Sequence, residues 1–509
     1  MKSLLSARRL VLLACGLIGL GEAFASAQPP PVFDLDSLRQ QQPDFLVRVA
    51  VDRISHQYRA GDQLTLSVVS EIDAYVYVLY EQADGQVFQV YPNKHQSQNQ
   101  LKAKEVVQVP AQDDLFRWRI GPPFGTEKIK VIATDQPLQS LADPKLKAKQ
   151  FNLVDEKYLK GVALELGTEQ PRPLPKPPAH WAEADVEIVT APASEALINS
   201  KGRRYGIFFG VSEHQYAAFD EAASGRNPNL STPHADAKIL NEIMKDVGRL
   251  QETKVFTNEQ ATRKNLEEAI CKWLPKTSKP GDTIVIYFSG HGGQWADDYG
   301  DEQDALDEYL VPYDYMGPNA VYGMEKLNEA GQLPVEYQPV LASVKELIEQ
   351  VGADKASDLL IRETGVTDDL FGHWLQKLDG REVVVILDIC HAGGFATLEK
   401  SLGPDKKPKA FDFLDQELVR LKDIGQANMA LLSASATAEN SLVRQENDLS
   451  VMTYYLAEGL FGNPDPLTLQ DAHQICIQGM QQYFIDHPNA PPHRPQLYNQ
   501  IAKPIYLKP

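Results

Sequence analysis

At 509 residues the chain is too long for a single hydrophobic core, and roughly two or three domains are expected. With 43% hydrophobic and 23% charged residues, it has the composition of an ordinary globular protein. A formal net charge of −19 argues against nucleic acid or an anionic membrane surface as a partner.

Taken in chain order, Lys2, Arg8 and Arg9 form a basic start, Leu10 to Leu20 is apolar, and Ala25-Ser26-Ala27 is a small-residue cleavage site. Residues 1–27 therefore read as a signal peptide, and the expected location is periplasmic or extracellular. A lipoprotein signal ending at Cys15 is the alternative. No apolar run reaches the roughly 20 residues a helix needs to cross a membrane, so no transmembrane span is expected. Residues 28–44 read as a linker.

Residues 45–135 carry alternating apolar runs at Phe45–Val51, Gln63–Val69, Ala74–Tyr80, Val87–Pro92 and Glu127–Ala133. Short strands at this spacing predict an all-β, sandwich-like domain, with a hairpin turning at Ala83-Asp84-Gly85-Gln86. The domain holds no catalytic cluster, and the sequence names no ligand for it. Residues 136–202 read as a helical and proline-rich linker, ending the first half at Pro171–Pro178.

Residues 203–509 alternate strands and helices, the pattern of an α/β domain with a mostly parallel sheet flanked by helices. Candidate strands are Tyr205–Val211, Lys254–Phe256, Thr283–Phe288, Glu382–Leu387 and Met429–Ser435. His234–Val247 is an amphipathic helix whose apolar face is read as Ala235, Ile239, Leu240, Ile243, Met244 and Val247. Asn258 or Thr262 caps a helix running to Trp273.

Two of these strands close on chemistry: Ser289-Gly290-His291-Gly292-Gly293 after the first, and Asp388-Ile389-Cys390-His391-Ala392-Gly393-Gly394 after the second. Groups at the carboxyl ends of neighbouring parallel strands converge on one crevice. A His and a Cys delivered there supply an acid–base group and a nucleophile for acyl transfer. Cys271 and Cys476 lie in helical stretches and read as buried apolar residues, with a bridge between them left open. Asp388 lies two residues before Cys390, and a carboxylate there favours Arg or Lys at the cleaved position.

These two motifs, in this order and on these strands, resemble those of caspase-like cysteine peptidases, in particular the bacterial metacaspase (orthocaspase) branch. The resemblance covers roughly residues 203–450. Metacaspases have Ser where this chain has Ile389 and Ala392. The resemblance implies His291 and Cys390 as the catalytic dyad and the N–H groups of Gly292 and Cys390 as the oxyanion hole. It adds Asp236 and Ser289 to Asp388 in the pocket for a basic substrate residue, while His391 reads as packing. The β domain resembles a domain of unknown function found beside such modules in exported bacterial proteins.

No cofactor is required by this reading. The acidic run Asp297–Glu308 offers hard oxygen ligands, so one reading is calcium bound by Asp301, Asp304 and Asp307 as an activator, and the other is a solvated acidic loop. His291 and Cys390 stand 99 positions apart, and residues 315–366 read as an insertion between them. Lysines between 399 and 427 suit self-processing. Two other readings stay open: a catalytically silent scaffold, and a legumain- or gingipain-type peptidase of other specificity.

Overall fold

The computed structural model describes residues 35–168, 180–193, 202–296, 306–391, 428–434, 443–490 and 494–509, apart from positions 41, 42, 44, 54, 112, 113, 115, 447, 500 and 502. Of residues 295, 296, 306, 307, 390 and 391 the backbone alone is described. The signal-peptide, proline-run and lysine-loop expectations lie outside the described residues.

The first half is all-β, as expected. Strands Val47–Val51, Leu66–Ser70 and Val107–Val109 form one sheet; a larger one runs through Val87–Tyr91, Ala74–Glu81, Thr126–Thr134 and Trp181–Ala191. Alternation sends Val47, Val49, Val68, Val76, Val78, Ile129, Val131, Ala184 and Val186 into one shared core between the sheets. The predicted hairpin forms at Gly85, whose φ of 81° needs a residue without Cβ.

The linker assigned to 136–202 needs correction. Its helix, Glu156–Leu166, covers the outer face of the large sheet with Leu159, Val162, Ala163 and Leu166. Trp181–Ala191 is an eleven-residue strand of that sheet, antiparallel to Thr126–Thr134. Its sequence, WAEADVEIVTA, alternates small or apolar residues with acids, and Ala and Glu are good helix formers. The strand wins because Ala182, Ala184, Val186 and Ile188 fill the core. Glu183, Asp185 and Glu187 are thereby turned to the other face.

Those acids meet the second half. Lys377 contacts Glu183 at 2.6 Å and Asp185 at 2.7 Å, Lys130 contacts the same two at 2.9 and 2.8 Å, and Arg381 reaches Glu187 at 2.9 Å. His56 adds a 3.2 Å contact to Asp379. Burial works against the Lys130 charge, but Asp185 and Glu183 outweigh it and hold its pKa above the ordinary lysine value.

The second half is an α/β layer, as expected. Its sheet runs Glu252–Thr257, Arg204–Gly210, Thr283–Ala296, Glu382–His391, Met429–Ser433, Gln496–Asn499; the first five are parallel and the last antiparallel. Apolar clusters cover both faces. The helix at 233 spans Pro233–Asp246, and its buried face is Asp236, Ala237, Leu240, Asn241 and Met244. That stripe is rotated from the expected one, leaving Ile239 exposed and turning Asp236 inward. Thr262 caps the following helix. Cys271 and Cys476 are free thiols in clusters on opposite faces of the sheet, so no bridge joins them.

Residues 315–366 are helical: Pro318–Glu329, Gln338–Val351 and Ala353–Thr364 share a core with Tyr216 and Phe219. Among the described residues no helix is long and apolar enough to cross a membrane.

Candidate active site

The strands carrying His291 and Cys390 both run further than their apolar stretches predict. Thr283–Ala296 and Glu382–His391 are parallel neighbours over ten residue pairs, from Thr283 opposite Glu382 to Gly292 opposite His391. His291 therefore stands opposite Cys390, and Ser289 opposite Asp388. Neighbouring strands lie about 4.8 Å apart, so register alone brings the two motifs together. The Cys390 side chain lies outside the described ones. Gly292 has Leu310 on its other side, where Leu306–Leu310 returns antiparallel.

His291 is 8% exposed, and its Nε2 lies 2.7 Å from the Pro228 carbonyl. A carbonyl can only accept, so Nε2 carries the proton and Nδ1 the basic lone pair. Burial pushes the imidazole pKa down to about 4, against a weaker upward pull from the Pro228 carbonyl. The ring stacks on that of His214, with centroids 5.5 Å apart and planes inclined by 30°. His291 is thus neutral at neutral pH, as a proton acceptor should be.

The three predicted pocket residues do come together. Asp236 accepts from Ser289 Oγ at 2.9 Å, and from Ser450 through its backbone N–H at 2.9 Å and its hydroxyl at 2.6 Å. Asp388 accepts from Thr453 through N–H at 3.0 Å and Oγ1 at 2.6 Å. Tyr287 OH lies 2.6 Å from the same Thr453 hydroxyl. Burial, then the neighbouring Asp388 charge, raises the Asp236 pKa; burial alone raises that of Asp388, against the Thr453 donors.

Ser450 and Thr453 were missed by sequence reasoning. They open the helix Val451–Gly462, with Ser450 at its N-cap. A Ser before Val451-Met452 is the available signal, since Ser is a preferred cap. The two acids accept hydrogen bonds from amide N–H groups at that helix start, which offsets part of the cost of burying them. Among the described residues, their hydrogen bonds come from hydroxyls and amides.

The other thiols are poor nucleophiles. Burial pushes Cys271 up to about 12 and raises Cys476 well beyond the ordinary thiol range. Of the proposed calcium ligands, Asp301 and Asp304 lie outside the described residues; Asp307 pairs through its backbone with Trp295, and its side chain is not described. Among the described residues no group of three or more His, Cys, Asp or Glu could hold a metal ion.

Residues 211–481 match the family model of the caspase domain, and residues 57–137 match that of a domain of unknown function, DUF4384. Metacaspase-1 of Yarrowia lipolytica is 43% identical over 60 residues, 12% of this chain and 13% of the relative. Metacaspase-2 of Arabidopsis thaliana is 38% identical over 89 residues, 16% of this chain and 21% of the relative. The matched stretch thus spans less than a quarter of either relative's length. The crystal structure of caspase-1 from Spodoptera frugiperda aligns over 60% of this chain and 90% of that one, at 12% identity and a TM-score of 0.32. Because the caspase-domain match takes in more than half of the 509 residues, the chain belongs to the caspase-domain family of cysteine peptidases.

Proposed function

We propose that the protein is an exported cysteine endopeptidase cleaving after Arg or Lys through His291, Cys390 and a thioacyl-enzyme intermediate. The observation that carries the specificity is the buried pair Asp236 and Asp388, held by hydroxyl and amide donors beside the His291–Cys390 register pair. Buried carboxylates are costly unless a cation or a task accounts for them. A guanidinium or ammonium at the cleaved position supplies the cation.

In the reaction, Cys390 Sγ bonds to the scissile carbonyl carbon while its proton passes to His291. The oxyanion receives the N–H groups of Gly292 and Cys390. Collapse breaks the C–N bond, and His291 gives its proton to the departing amine. Water then hydrolyses the thioester and restores the thiol. Two disabling substitutions test this. Cys390→Ala and His291→Ala should abolish peptide hydrolysis with the fold retained, whereas turnover by Cys390→Ala would remove the assignment.

Export is supported by the character of residues 1–27 alone. Calcium activation is supported by the acidity of Asp297–Glu308 alone. Its test is activity in chelator against the same sample with calcium restored, and equal rates would exclude it.

A further inference from the structure

We propose that His214 is a positioning residue for His291: its ring is the face against which the catalytic imidazole is held, and its backbone secures the loop that fixes the imidazole's tautomer. The inference rests on the peptidase reading for the reaction it serves. Nothing in the two sequence motifs points to His214.

The geometry comes from three segments meeting at one ring. His214 is 6% exposed, and its ring stacks on His291 at 5.5 Å between centroids. Its backbone N–H donates to Asn229 Oδ1 at 3.1 Å, and the residue before Asn229 is Pro228, whose carbonyl accepts the His291 Nε2 proton. Leu230 N–H donates to the Ser212 carbonyl at 2.8 Å, closing the same loop from its other side. On the opposite flank, Gln215 N–H donates to the Tyr313 carbonyl at 2.9 Å, and Val311 N–H donates to the His291 carbonyl at 3.0 Å. The Pro312 carbonyl acts on the His214 ring itself. Residues 212–215 therefore lie between the two segments that grip His291.

A stacked pair of buried imidazoles also limits where a proton can go. Like charges on two buried rings this close repel, so protonation of one ring disfavours protonation of the other. Among the described residues the titratable group acting on the His214 ring is His291, and the Cys390 backbone stands opposite His291 on the neighbouring strand. Asp388 and Asp236 lie further down the sheet, and Pro312 offers an uncharged carbonyl. Burial, then the His291 ring, holds the His214 pKa well below the ordinary value. A neutral His214 presents a π face to His291 when that ring becomes the imidazolium.

The experiment compares wild type, His214→Phe and His214→Ala as full chains, with melting curves recorded for each. The first readout is the pH dependence of Cys390 alkylation by iodoacetamide, localised by mass spectrometry, which needs no peptide substrate. The second is kcat and KM on an Arg peptide. His214→Ala should lower kcat by roughly 10- to 100-fold with KM little changed, the size of loss expected when a catalytic group is misplaced by about an ångström. It should also displace the acid limb of the alkylation profile. His214→Phe, which keeps a ring in the stack, should recover most of the lost kcat. Alkylation and kcat profiles of His214→Ala that superpose on wild type would overturn the inference, as would a folded His214→Phe no better than His214→Ala. Failure of wild type to cleave any peptide, with a pH-dependent alkylation profile intact, would strike the peptidase reading and leave the positioning role to be judged on alkylation alone.

Discussion

Among the described residues, two sets of acids are handled in opposite ways. At the junction of the halves, Glu183, Asp185 and Glu187 face Lys130, Lys377 and Arg381 at 2.6–2.9 Å. At the strand ends, Asp236 and Asp388 have hydroxyl and amide donors and sit close enough that the charge on one raises the other's pKa. The first set is closed on itself and holds two domains together. The second has hydroxyl and amide donors in place of cations, and on the proposed function a basic substrate side chain would supply the missing charge.

The largest effect should come from opening the closed set. Lys377→Met leaves Glu183 and Asp185 with one cation fewer, and removing one partner of a buried pair costs about 3–5 kcal/mol. Chemical denaturation should show that loss, while the preference for Arg and Lys peptides is unchanged. Next is the site. Asp388→Asn should cost about 2–4 kcal/mol in kcat/KM on Arg peptides, as for one partner of a desolvated charge pair. Its melting temperature should not fall in parallel, because no protein cation is orphaned.

The pH dependence sharpens the contrast. A carboxyl whose folded pKa is raised binds more protons folded than unfolded, so its contribution to stability falls as pH rises from the ordinary carboxylate range to its raised folded value. For Asp236 that upper limit is about 7. Wild type should therefore lose stability relative to Asp388→Asn between pH 4 and 7, read as the difference of two melting curves. His56, which burial opposes but Asp379 raises, contributes fully below the ordinary histidine value and fades above it. It contributes equally to both proteins and drops out of the difference. Smallest of all, Cys271→Ala should change stability by about 1 kcal/mol and leave turnover intact.

The juxtaposition of His291 and Cys390 was legible because strand-end motifs need little tertiary information: two β-branched runs, two Gly-rich turns and a parallel register suffice to set one opposite the other. Asp236 and Ser289 came through resemblance to a family, and the fold does bring them together. Trp181–Ala191 was misread because Ala and Glu favour helix locally, whereas core packing and a cationic partner surface decide for a strand. His214, Pro228, Ser450 and Thr453 stayed hidden because each acts through long-range contact: 63 positions separate Pro228 from His291, and 65 separate Asp388 from Thr453. No local pattern encodes such partners.

The central claim is that the open acid pair selects a basic residue next to the scissile bond. It is tested most directly by hydrolysis of four fluorogenic peptides that differ only in carrying Arg, Lys, Asn or Asp at the cleaved position. The account predicts turnover of the Arg and Lys peptides and none of the Asp peptide, with the preference lost in Asp388→Asn. Equal cleavage of the Arg and Asp peptides, or a preference for Asn, would contradict it.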